Sequence, residues 1–460
     1  MTLRIENLYV KYSEEIRWQI DKLSLILEKG GCLGIIASNG NGKTTLAYGI
    51  VGIIPEIFKG TVKGKVVLDE IEYSSVSLGE RIRNISYVFQ DIESQTLFGT
   101  ISNIFGLNES DEKQNLVKDC IRYFELEKYL DRTPNTLSSG ELQKVVLVAS
   151  LRNNPRLLIY DEVTSVLDPI MKGKFLGYIQ KLKENGITTI LLGQRLNLVS
   201  KYTNNVLQIK DGVLSPVNIE ENVQSVAIKK IYREPDRKFD IQIDRIVYRA
   251  PGGQFCLNVE ELKLQEGQNI ALVGTNGSGK TTFINILYGF IKAHEFEIHI
   301  DGKRYTNHKK SPINNIVDIV LHNTNSQILA SKTEEIFRHL DVEKRALENI
   351  IPFIDYEKDP LTMSFGQIKV VTCIASFLSR NPVICIDEPE YGLDEYNYSI
   401  IQSYLKMNKE KKGKTILFAT HDIEMAKKHA DKIVVFSEGY IIAELNPEDF
   451  YKIERLIEEK

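Results

Sequence analysis

Two glycine-rich segments place residues that can bind phosphate at the start of a helix. The segment GTNGSGKTT follows the apolar run NIALV and precedes the helix-like run FINILYGF, and ASNGNGKTT in the first half is a near-copy. Glycines let backbone N–H groups close around phosphate oxygens, while the lysine and the following hydroxyl can reach phosphates and Mg²⁺. The sequence therefore predicts two nucleotide sites. The predicted binding residues are Asn39, Gly40, Asn41, Gly42, Lys43, Thr44, Thr45, Asn276, Gly277, Ser278, Gly279, Lys280, Thr281 and Thr282.

In each half, an apolar strand-like run ends in two acidic residues. LLIYDE ends in Asp161 and Glu162, and VICIDE ends in Asp387 and Glu388. In a chain with phosphate-binding loops, the aspartate can organise Mg²⁺ and the glutamate can polarise an attacking water. A strand that merely ends in charged loop residues is the alternative for either pair taken alone. The predicted metal-binding residues are Thr44, Asp161, Thr281 and Asp387, and the predicted catalytic carboxylates are Glu162 and Glu388.

The chain contains a duplicated unit. Landmarks of the first half recur roughly 230 residues later, which is a domain length and too long for a solenoid repeat. A polar segment with two prolines separates the halves, from Ser215 to Asp240. We therefore predict a first domain over 1–214, a linker over 215–239 and a second domain over 240–460.

The composition narrows the class of protein. The 460 residues carry a formal net charge of −4, so no strong overall field favours nucleic acid or anionic lipid. Five scattered cysteines without metal-ligand spacing predict neither a disulfide framework nor a zinc site. No apolar run approaches the roughly 18 residues that span a bilayer. Any membrane role must then come through a partner.

Short β-rich runs alternate with helical patterns in both halves. RLLIYDE, TTILLGQ and KIVVF are typical of buried parallel strands, and LRIENLYVKY and DIQIDRIVYR predict an antiparallel β region before each glycine-rich loop. Alternating strands and helices predict an α/β fold with a parallel sheet. Ligands of such folds bind beyond the carboxyl ends of the strands, where the loops and acidic pairs fall.

Two further strings resemble the signature motif of ATP-binding cassette (ABC) ATPases. These are LSSGE, about twenty residues before the first acidic pair, and MSFGQ before the second. With SVLD, YGLD and ATHD in register, the resemblance covers essentially the whole chain. It implies two RecA-like P-loop NTPase cassettes, each with an antiparallel β subdomain and a helical signature subdomain. In that family, ATP is sandwiched between the P-loop of one cassette and the signature helix of the other.

The resemblance also implies roles for single residues. Tyr12 and Tyr248 would stack on adenine, although a core or surface tyrosine is an open alternative for both. Gln90 would be a catalytic and metal-binding residue that senses Mg²⁺ and water and contacts a transmembrane partner. His421 would be catalytic and contact the γ-phosphate. Gln194 stands where the first half should have that histidine. The residues implied for the signature motifs and the loops across the interface are Ser138, Gly140, Ser364, Gly366, Asp168 and Asp394.

Departures from the family pattern are unequally distributed. Ala37, Gln194 and Phe365 would all fall in one composite site, the P-loop of the first domain with the signature of the second. We therefore expect the site with Lys280, Glu388, His421 and Ser138 to be the main hydrolytic one, and the site with Lys43, Glu162, Gln194 and Ser364 to turn over slowly. That both sites work is the alternative. His322 in IVLHNTNSQ occupies the glutamine position of the favoured site.

The segments VFQDIESQTLF, SQIL and GIIPEIFKGTVKGKVVLDE resemble the ATPases of energy-coupling factor importers. This implies a peripheral ATPase on the cytoplasmic face of the cell membrane. Its partners would be an integral membrane coupling subunit and a small substrate-binding membrane subunit, for uptake of a vitamin, a vitamin precursor or a metal ion. The alternatives are the ATPase of a sugar importer or an exporter, a tandem-cassette translation factor, and a binding-only protein. ATP and Mg²⁺ are the expected ligands, and no nucleic acid is expected.

Overall fold

A computed structural model describes most of the chain. The described residues are 2–38, 40–89, 98–107, 115–137, 139–165, 167, 169–217, 234–253, 255–308, 311–328, 330–338, 340, 347–348, 351 and 354–458. They form two compact units, which we call unit 1 (Met1–Leu167 with Met171–Ile219) and unit 2 (Asp168–Ile170 with Glu220–Lys460). Among the described residues, no helix has both the length and the apolar character that crossing a bilayer requires.

Unit 1 contains two sheets. The strands are β1 (Thr2–Tyr12), β2 (Ile20–Glu28), β3 (Cys32–Ile36), β4 (Gly60–Leu68), β5 (Ile71–Glu72), β6 (Ile85–Val88), β7 (Leu157–Asp161), β8 (Thr188–Gly193), β9 (Val206–Lys210) and β10 (Val213–Pro216). One sheet has the antiparallel order β2-β1-β4-β5. The other has the order β10-β9-β3-β8-β7-β6, in which all neighbours are parallel except β10 and β9.

The helices of unit 1 flank these sheets. They are α1 (Lys43–Val51), α2 (Ile53–Glu56), α3 (Leu78–Asn84), α4 (Ile101–Ile104), α5 (Asn115–Tyr123), α6 (Ser139–Ala149), α7 (Pro169–Glu184) and α8 (Leu196–Val199). Helix α1 packs with the antiparallel sheet in one core, and α5 to α7 pack with the parallel strands in another. Strand β10 extends to Pro216, so regular structure reaches two residues into the predicted linker.

Unit 2 repeats this order along the chain. Its strands are β11 (Ile241–Arg249), β12 (Cys256–Leu264), β13 (Asn269–Gly274), β14 (Glu295–Ile300), β15 (Lys303–Tyr305), β16 (Val317–Val320), β17 (Val383–Asp387), β18 (Thr415–Thr420), β19 (Lys432–Ser437) and β20 (Tyr440–Leu445). Its helices are α9 (Lys280–Tyr288), α10 (Ile313–Ile316), α11 (Thr333–Phe337), α12 (Phe365–Leu378), α13 (Glu395–Lys411), α14 (Ile423–His429) and α15 (Lys452–Glu458).

The strand order of unit 2 places its functional residues side by side. The sheet runs β15-β14-β11-β12-β20-β19-β13-β18-β17-β16, and β19, β13, β18, β17 and β16 are parallel neighbours. Their residues are buried on both faces, which explains the continuous apolar runs VICID and TILFAT. The carboxyl ends of these strands meet at one edge. The predicted α/β fold with an antiparallel β region in each cassette is thus confirmed.

Candidate nucleotide sites

The glycine-rich loop of unit 2 joins β13 to α9 and encloses the side chain of Lys280. Gly279 has a φ of +107°, and a Cβ there would lie 2.8 Å from Leu257 Cδ1, so both conformation and space require glycine. Lys280 Nζ donates hydrogen bonds to the carbonyl oxygens of Gly274 at 2.9 Å and Thr275 at 2.8 Å. The backbone and the lysine thus form a cradle with the chemistry that phosphate binding requires.

The acidic pair lies beside this cradle, and Glu388 lines a cavity of about 350 Å³ there. Asp387 ends β17, and its Oδ1 accepts a hydrogen bond from Thr281 Oγ1 at 3.0 Å. Burial raises the pKa of Asp387, and the neighbouring Glu388 adds to this effect. The cavity is lined by Phe255, Asn276, Gly277, Gly279, Lys280, Thr281, Thr282, Glu388 and His421. The sequence-predicted loop, carboxylate and histidine of the second half therefore meet at one place.

Glu388 lies between two histidines. His421 Nε2 is 3.0 Å from Glu388 Oε1, and His322 Nε2 is 3.3 Å from Glu388 Oε2. Burial alone would raise the pKa of Glu388, but the hydrogen bonds from His322 and His421 outweigh it and hold this pKa well below its usual value. Burial would likewise lower the pKa of His322, and its bond to Glu388 reverses that shift and raises it. Glu388 is therefore held in its ionised form, with a histidine at each carboxylate oxygen.

Glu388 and its counterpart Glu162 share an unusual backbone conformation. Their φ angles are +49° and +56°, in the left-handed region that non-glycine residues seldom adopt. The Glu388 N–H donates to Ala419 O and the Glu162 N–H to Leu192 O, both at 2.9 Å. A hydrogen bond to the neighbouring parallel strand thus fixes each glutamate directly after its own strand.

The aromatic residue beside the cavity of unit 2 is Phe255. Its ring contacts the P-loop, since a Cβ at Gly279 would lie 3.1 Å from Phe255 Cζ. Tyr248 is on β11, does not line the cavity, and its ring centroid lies 5.8 Å from that of His294. Adenine stacking by Tyr248 stays a prediction, and Phe255 is the better-placed candidate. The signal in the sequence is a separation along the chain: as many residues separate Phe255 from Lys280 as separate Trp18 from Lys43.

The corresponding aromatic residues of unit 1 are arranged differently. Trp18 packs against Tyr9 with ring centroids 5.4 Å apart, and the amines of Lys11 and Lys63 lie 5.3 and 5.5 Å from its ring. Tyr12 ends β1 and packs at the edge of the core beside α1. The adenine-stacking role of Tyr12 stays a prediction.

The loop lysine of unit 1 is paired with the glutamate of its own unit. Lys43 Nζ donates to Ala37 O at 2.7 Å and lies 3.4 Å from Glu162 Oε1, with both side chains buried. Gln194 Nε2 donates to the other oxygen, Glu162 Oε2. Burial raises the pKa of Glu162, and the charge of Lys43 opposes that shift. The sequence of unit 1, unlike that of unit 2, contains no histidine, and Gln194 stands at the position of His421.

Asp161 of unit 1 has one oxygen in use and one available. Its Oδ2 accepts hydrogen bonds from Thr44 Oγ1 and Tyr87 OH, both at 2.7 Å. Its Oδ1 is buried and has no hydrogen-bond partner among the described residues. Burial raises the pKa of Asp161 and also that of Tyr87. A threonine hydroxyl beside a carboxylate with a spare oxygen fits a Mg²⁺ ion. No motif in the sequence singles out Tyr87.

The remaining predicted residues divide into two groups. Ser364 caps α12 by accepting from Gln367 N at 3.3 Å, and Asp394 caps α13 by accepting from Asn397 N at 2.9 Å. Gly140 and Gly366 lie in the first turns of α6 and α12, and a Cβ at Gly140 would meet no atom within 4 Å. The predicted residues that lie outside the described part of the chain are Asn39, Gln90, Ser138 and Asp168.

A family model for ABC transporters matches residues 20–165 and 257–390, more than half of the chain. The chain belongs to the ABC transporter ATP-binding family. Two matches in one polypeptide make it a tandem-cassette ATPase that binds and hydrolyses ATP. A relative from Saccharolobus solfataricus, named as an ABC transporter ATP-binding protein, is 27% identical over 98% of this chain and 94% of its own length. One from Methanosarcina mazei with the same name is 27% identical over 96% and 94%.

Solved tandem-cassette structures share the fold of this ATPase. One is a chain in the complex of archaeal ribosomal stalk protein aP1 and archaeal ribosome recycling factor aABCE1, with a TM-score of 0.70, 20% identity, and coverage of 97% of this chain and 91% of that one. Another is RNase-L Inhibitor, with a TM-score of 0.69, 19% identity, and coverage of 97% and 92%. At these identities the likeness extends to the fold alone.

The position of Phe255 leads to a direct test of which aromatic residue holds the base. We expect Phe255→Ala to weaken ATP binding by unit 2 about tenfold, since stacking of a base on an aromatic ring contributes roughly 1–3 kcal/mol. Tyr248→Ala should change binding less. Titration with a fluorescent ATP analogue in the Lys43→Ala background, which weakens the unit 1 site, measures this. The reverse order of effects would return the role to Tyr248.

Proposed function

We propose that this tandem-cassette ATPase powers an energy-coupling factor type importer, with unit 2 as its main hydrolytic cassette. It would work on the cytoplasmic face of the cell membrane with an integral membrane coupling subunit and a small substrate-binding membrane subunit. The observation that carries the assignment of hydrolysis is the ionised Glu388 held by two histidines beside the P-loop. The transport assignment is supported by an exposed apolar surface on unit 1.

The geometry of unit 2 suits in-line attack of water on the γ-phosphate. Lys280 and the loop amides would hold the phosphates, and Thr281 with Asp387 would hold Mg²⁺, which neutralises phosphate charge when bound. Glu388 would accept a proton from the attacking water as the new P–O bond forms and the bond to the β-phosphate oxygen breaks. His421, on the cavity wall and 3.0 Å from Glu388, would orient that carboxylate and contact the transferred phosphoryl group.

Unit 1 has the parts for binding, but its glutamate is held differently. Glu162 is tied to Lys43, the amine that would bind the phosphates, and unit 1 has no histidine to orient it as His421 and His322 orient Glu388. Gln194 cannot take the protonated form that a histidine can. Thr44 and Asp161 keep the arrangement suited to Mg²⁺. We therefore propose that unit 1 binds ATP and hydrolyses it slowly.

An exposed apolar patch on unit 1 supports a membrane partner. It consists of Ile57, Phe58, Phe89 and Phe98, whose exposed fractions are 63%, 45%, 38% and 84%. Phe58 and Phe89 are linked through the rings of Tyr48 and Tyr87. Ile57 is the neighbour of Phe58 along the chain, and we assign Phe98 to the patch from its position directly after segment 90–97. Large exposed apolar side chains near one another are typical of protein-binding surfaces. The patch flanks segment 90–97, which contains Gln90, the residue expected to contact a transmembrane partner. An amphipathic helix of the coupling subunit is the occupant that we propose.

A series of packed aromatic rings joins the patch to Asp161, the aspartate proposed to bind Mg²⁺. Phe58 stacks on Tyr48 with centroids 5.5 Å apart, Tyr48 meets Tyr87 edge-on at 5.7 Å, and Tyr87 donates to Asp161. Phe89 also packs against Tyr87, at 4.6 Å. A partner that moves these rings would act on Tyr87, one hydrogen bond away from the Mg²⁺ site. This is a route by which docking and ATP binding could be coupled.

Affinity purification from detergent-solubilised membranes tests the partner assignment. We expect the wild-type chain to recover a hydrophobic coupling subunit and a small membrane protein, and the double variant Ile57→Ser/Phe98→Ser to lose both while keeping its basal ATPase rate. Ile26→Ser is the matched control, because Ile26 is 71% exposed but outside the patch. Recovery of ribosomal proteins in place of membrane subunits would reject the proposal in favour of a translation role.

A further inference from the structure

The two histidines that contact Glu388 come from different strands. His322 is the second residue after β16, and His421 is the first residue after β18. Glu388 is the first residue after β17, the strand that lies between β16 and β18 in the sheet. A histidine ring on a loop can turn away from its partner unless another group holds it. Each of these two histidines has such a support, and both supports come from residues 390–391, shortly after Glu388.

Glu390 holds the backbone that carries His421. Its Oε1 accepts hydrogen bonds from His421 N at 2.9 Å, Asp422 N at 3.3 Å and Thr420 Oγ1 at 2.6 Å. The Glu390 side chain is 7% exposed, so these bonds form away from bulk water. They fix the turn at the end of β18, and with it the origin of the His421 side chain.

Tyr391 holds the ring of His322. The two ring centroids are 4.3 Å apart with an interplanar angle of 38°, which is a close tilted stack. The Tyr391 ring also meets Phe365 edge-on, with ring centroids 5.5 Å apart. The Tyr391 N–H donates to Glu388 O at 3.1 Å, so the supporting ring and the supported carboxylate belong to one turn. His322 and Phe365, both departures from the family pattern, therefore meet at this tyrosine.

We propose that Glu390 and Tyr391 are positioning residues, which keep His421 and His322 on the two carboxylate oxygens of Glu388. The inference rests on the proposed role of Glu388 as the base. The turn over residues 388–391 thus supplies the base, Glu388. It also supplies Glu390 and Tyr391, which hold the two histidines that orient this base. Unit 1 offers an internal contrast, because Thr164 stands at the Glu390 position and Gln194 replaces the histidine.

Steady-state ATPase measurements on the full chain test the role of Tyr391. Because stacking of the His322 ring is lost, Tyr391→Leu should lower kcat about tenfold, which corresponds to about 1.4 kcal/mol in the barrier, and leave KM unchanged. Tyr391→Phe keeps the stacked ring and should retain most of the rate. Since Tyr391 acts through His322, the double variant Tyr391→Leu/His322→Ala should be no slower than His322→Ala alone.

Glu390 gives a second and independent arm. Glu390→Met should lower kcat while Glu390→Gln, which keeps an acceptor oxygen for His421 N, should restore most of it. This arm decides the outcome if Tyr391→Leu does not fold, as judged by circular dichroism. Wild-type kcat in both Tyr391→Leu and Glu390→Met, or losses that multiply with those of the histidine variants, would overturn the inference. Wild-type turnover in Glu388→Gln would instead reject the base assigned under the proposed function.

Discussion

Glu388→Gln is expected to lower kcat for ATP hydrolysis by about 10²–10⁴-fold, the usual contribution of a positioned general base. Glutamine has the shape of glutamate and can keep a hydrogen bond to His421, but it cannot accept a proton from water. ATP binding should survive, because Lys280 and the loop amides are unchanged. The rate of phosphate release at saturating ATP measures the loss, and retention of a fluorescent ATP analogue confirms that the nucleotide site is intact.

Glu162→Gln is the matched control, since it makes the same change at the equivalent position of unit 1. We expect it to change kcat by less than about tenfold, a barrier difference below about 1.4 kcal/mol. The reason is that the Glu162 carboxylate already forms an ion pair with the Lys43 amine, 3.4 Å away, and accepts a hydrogen bond from Gln194. A larger loss in Glu162→Gln than in Glu388→Gln would mean that unit 1 is the main hydrolytic cassette.

Contiguous motifs explain why much of the site was predictable from the sequence. A strand, a glycine-rich loop and a helix in immediate succession leave few ways to place Lys280, and the left-handed φ of Gly279 matches the glycine required there. The acidic pairs at the ends of β7 and β17 were predictable for the same reason. In these places, local sequence and tertiary structure impose the same geometry.

Contacts between strand ends were not predictable, because they depend on strand order. His322 stood out as a departure from the family pattern, but its contact with Glu388 follows only once β16 is placed beside β17. Glu390 likewise looks like an ordinary loop residue until β18 is placed on the other side, and Tyr391 until β16 brings His322 beside it. The choice between Tyr248 and Phe255 also required the packing of the β11–β12 loop against the P-loop.

Lys369→Met is expected to destabilise unit 2 by about 2–4 kcal/mol, since hydrogen bonds from charged groups contribute roughly 1.5–3 kcal/mol each. Lys369 lies on α12 with no exposed side-chain surface, and its Nζ donates to Leu321 O at 2.9 Å and Asp387 O at 2.7 Å. Burial lowers the pKa of Lys369, while the charges of nearby groups, including Asp387 and Glu388, oppose that shift. Methionine fills similar space but leaves the carbonyl oxygens of Leu321 and Asp387 without this donor.

The same substitution should also reduce ATP turnover. Each carbonyl that Lys369 binds belongs to the residue before Glu388 or before His322, which contacts Glu388. Leu321 precedes His322 and Asp387 precedes Glu388, so one amine ties both strand ends to α12. Thermal unfolding should show a transition lowered by roughly 4–15 °C, at about 2–4 °C per kcal/mol for a unit of this size. Lys406→Met on α13, where the side chain is 69% exposed, should leave both unfolding and turnover unchanged. Equal unfolding temperatures for Lys369→Met and Lys406→Met would show that the buried amine does not hold these strand ends together.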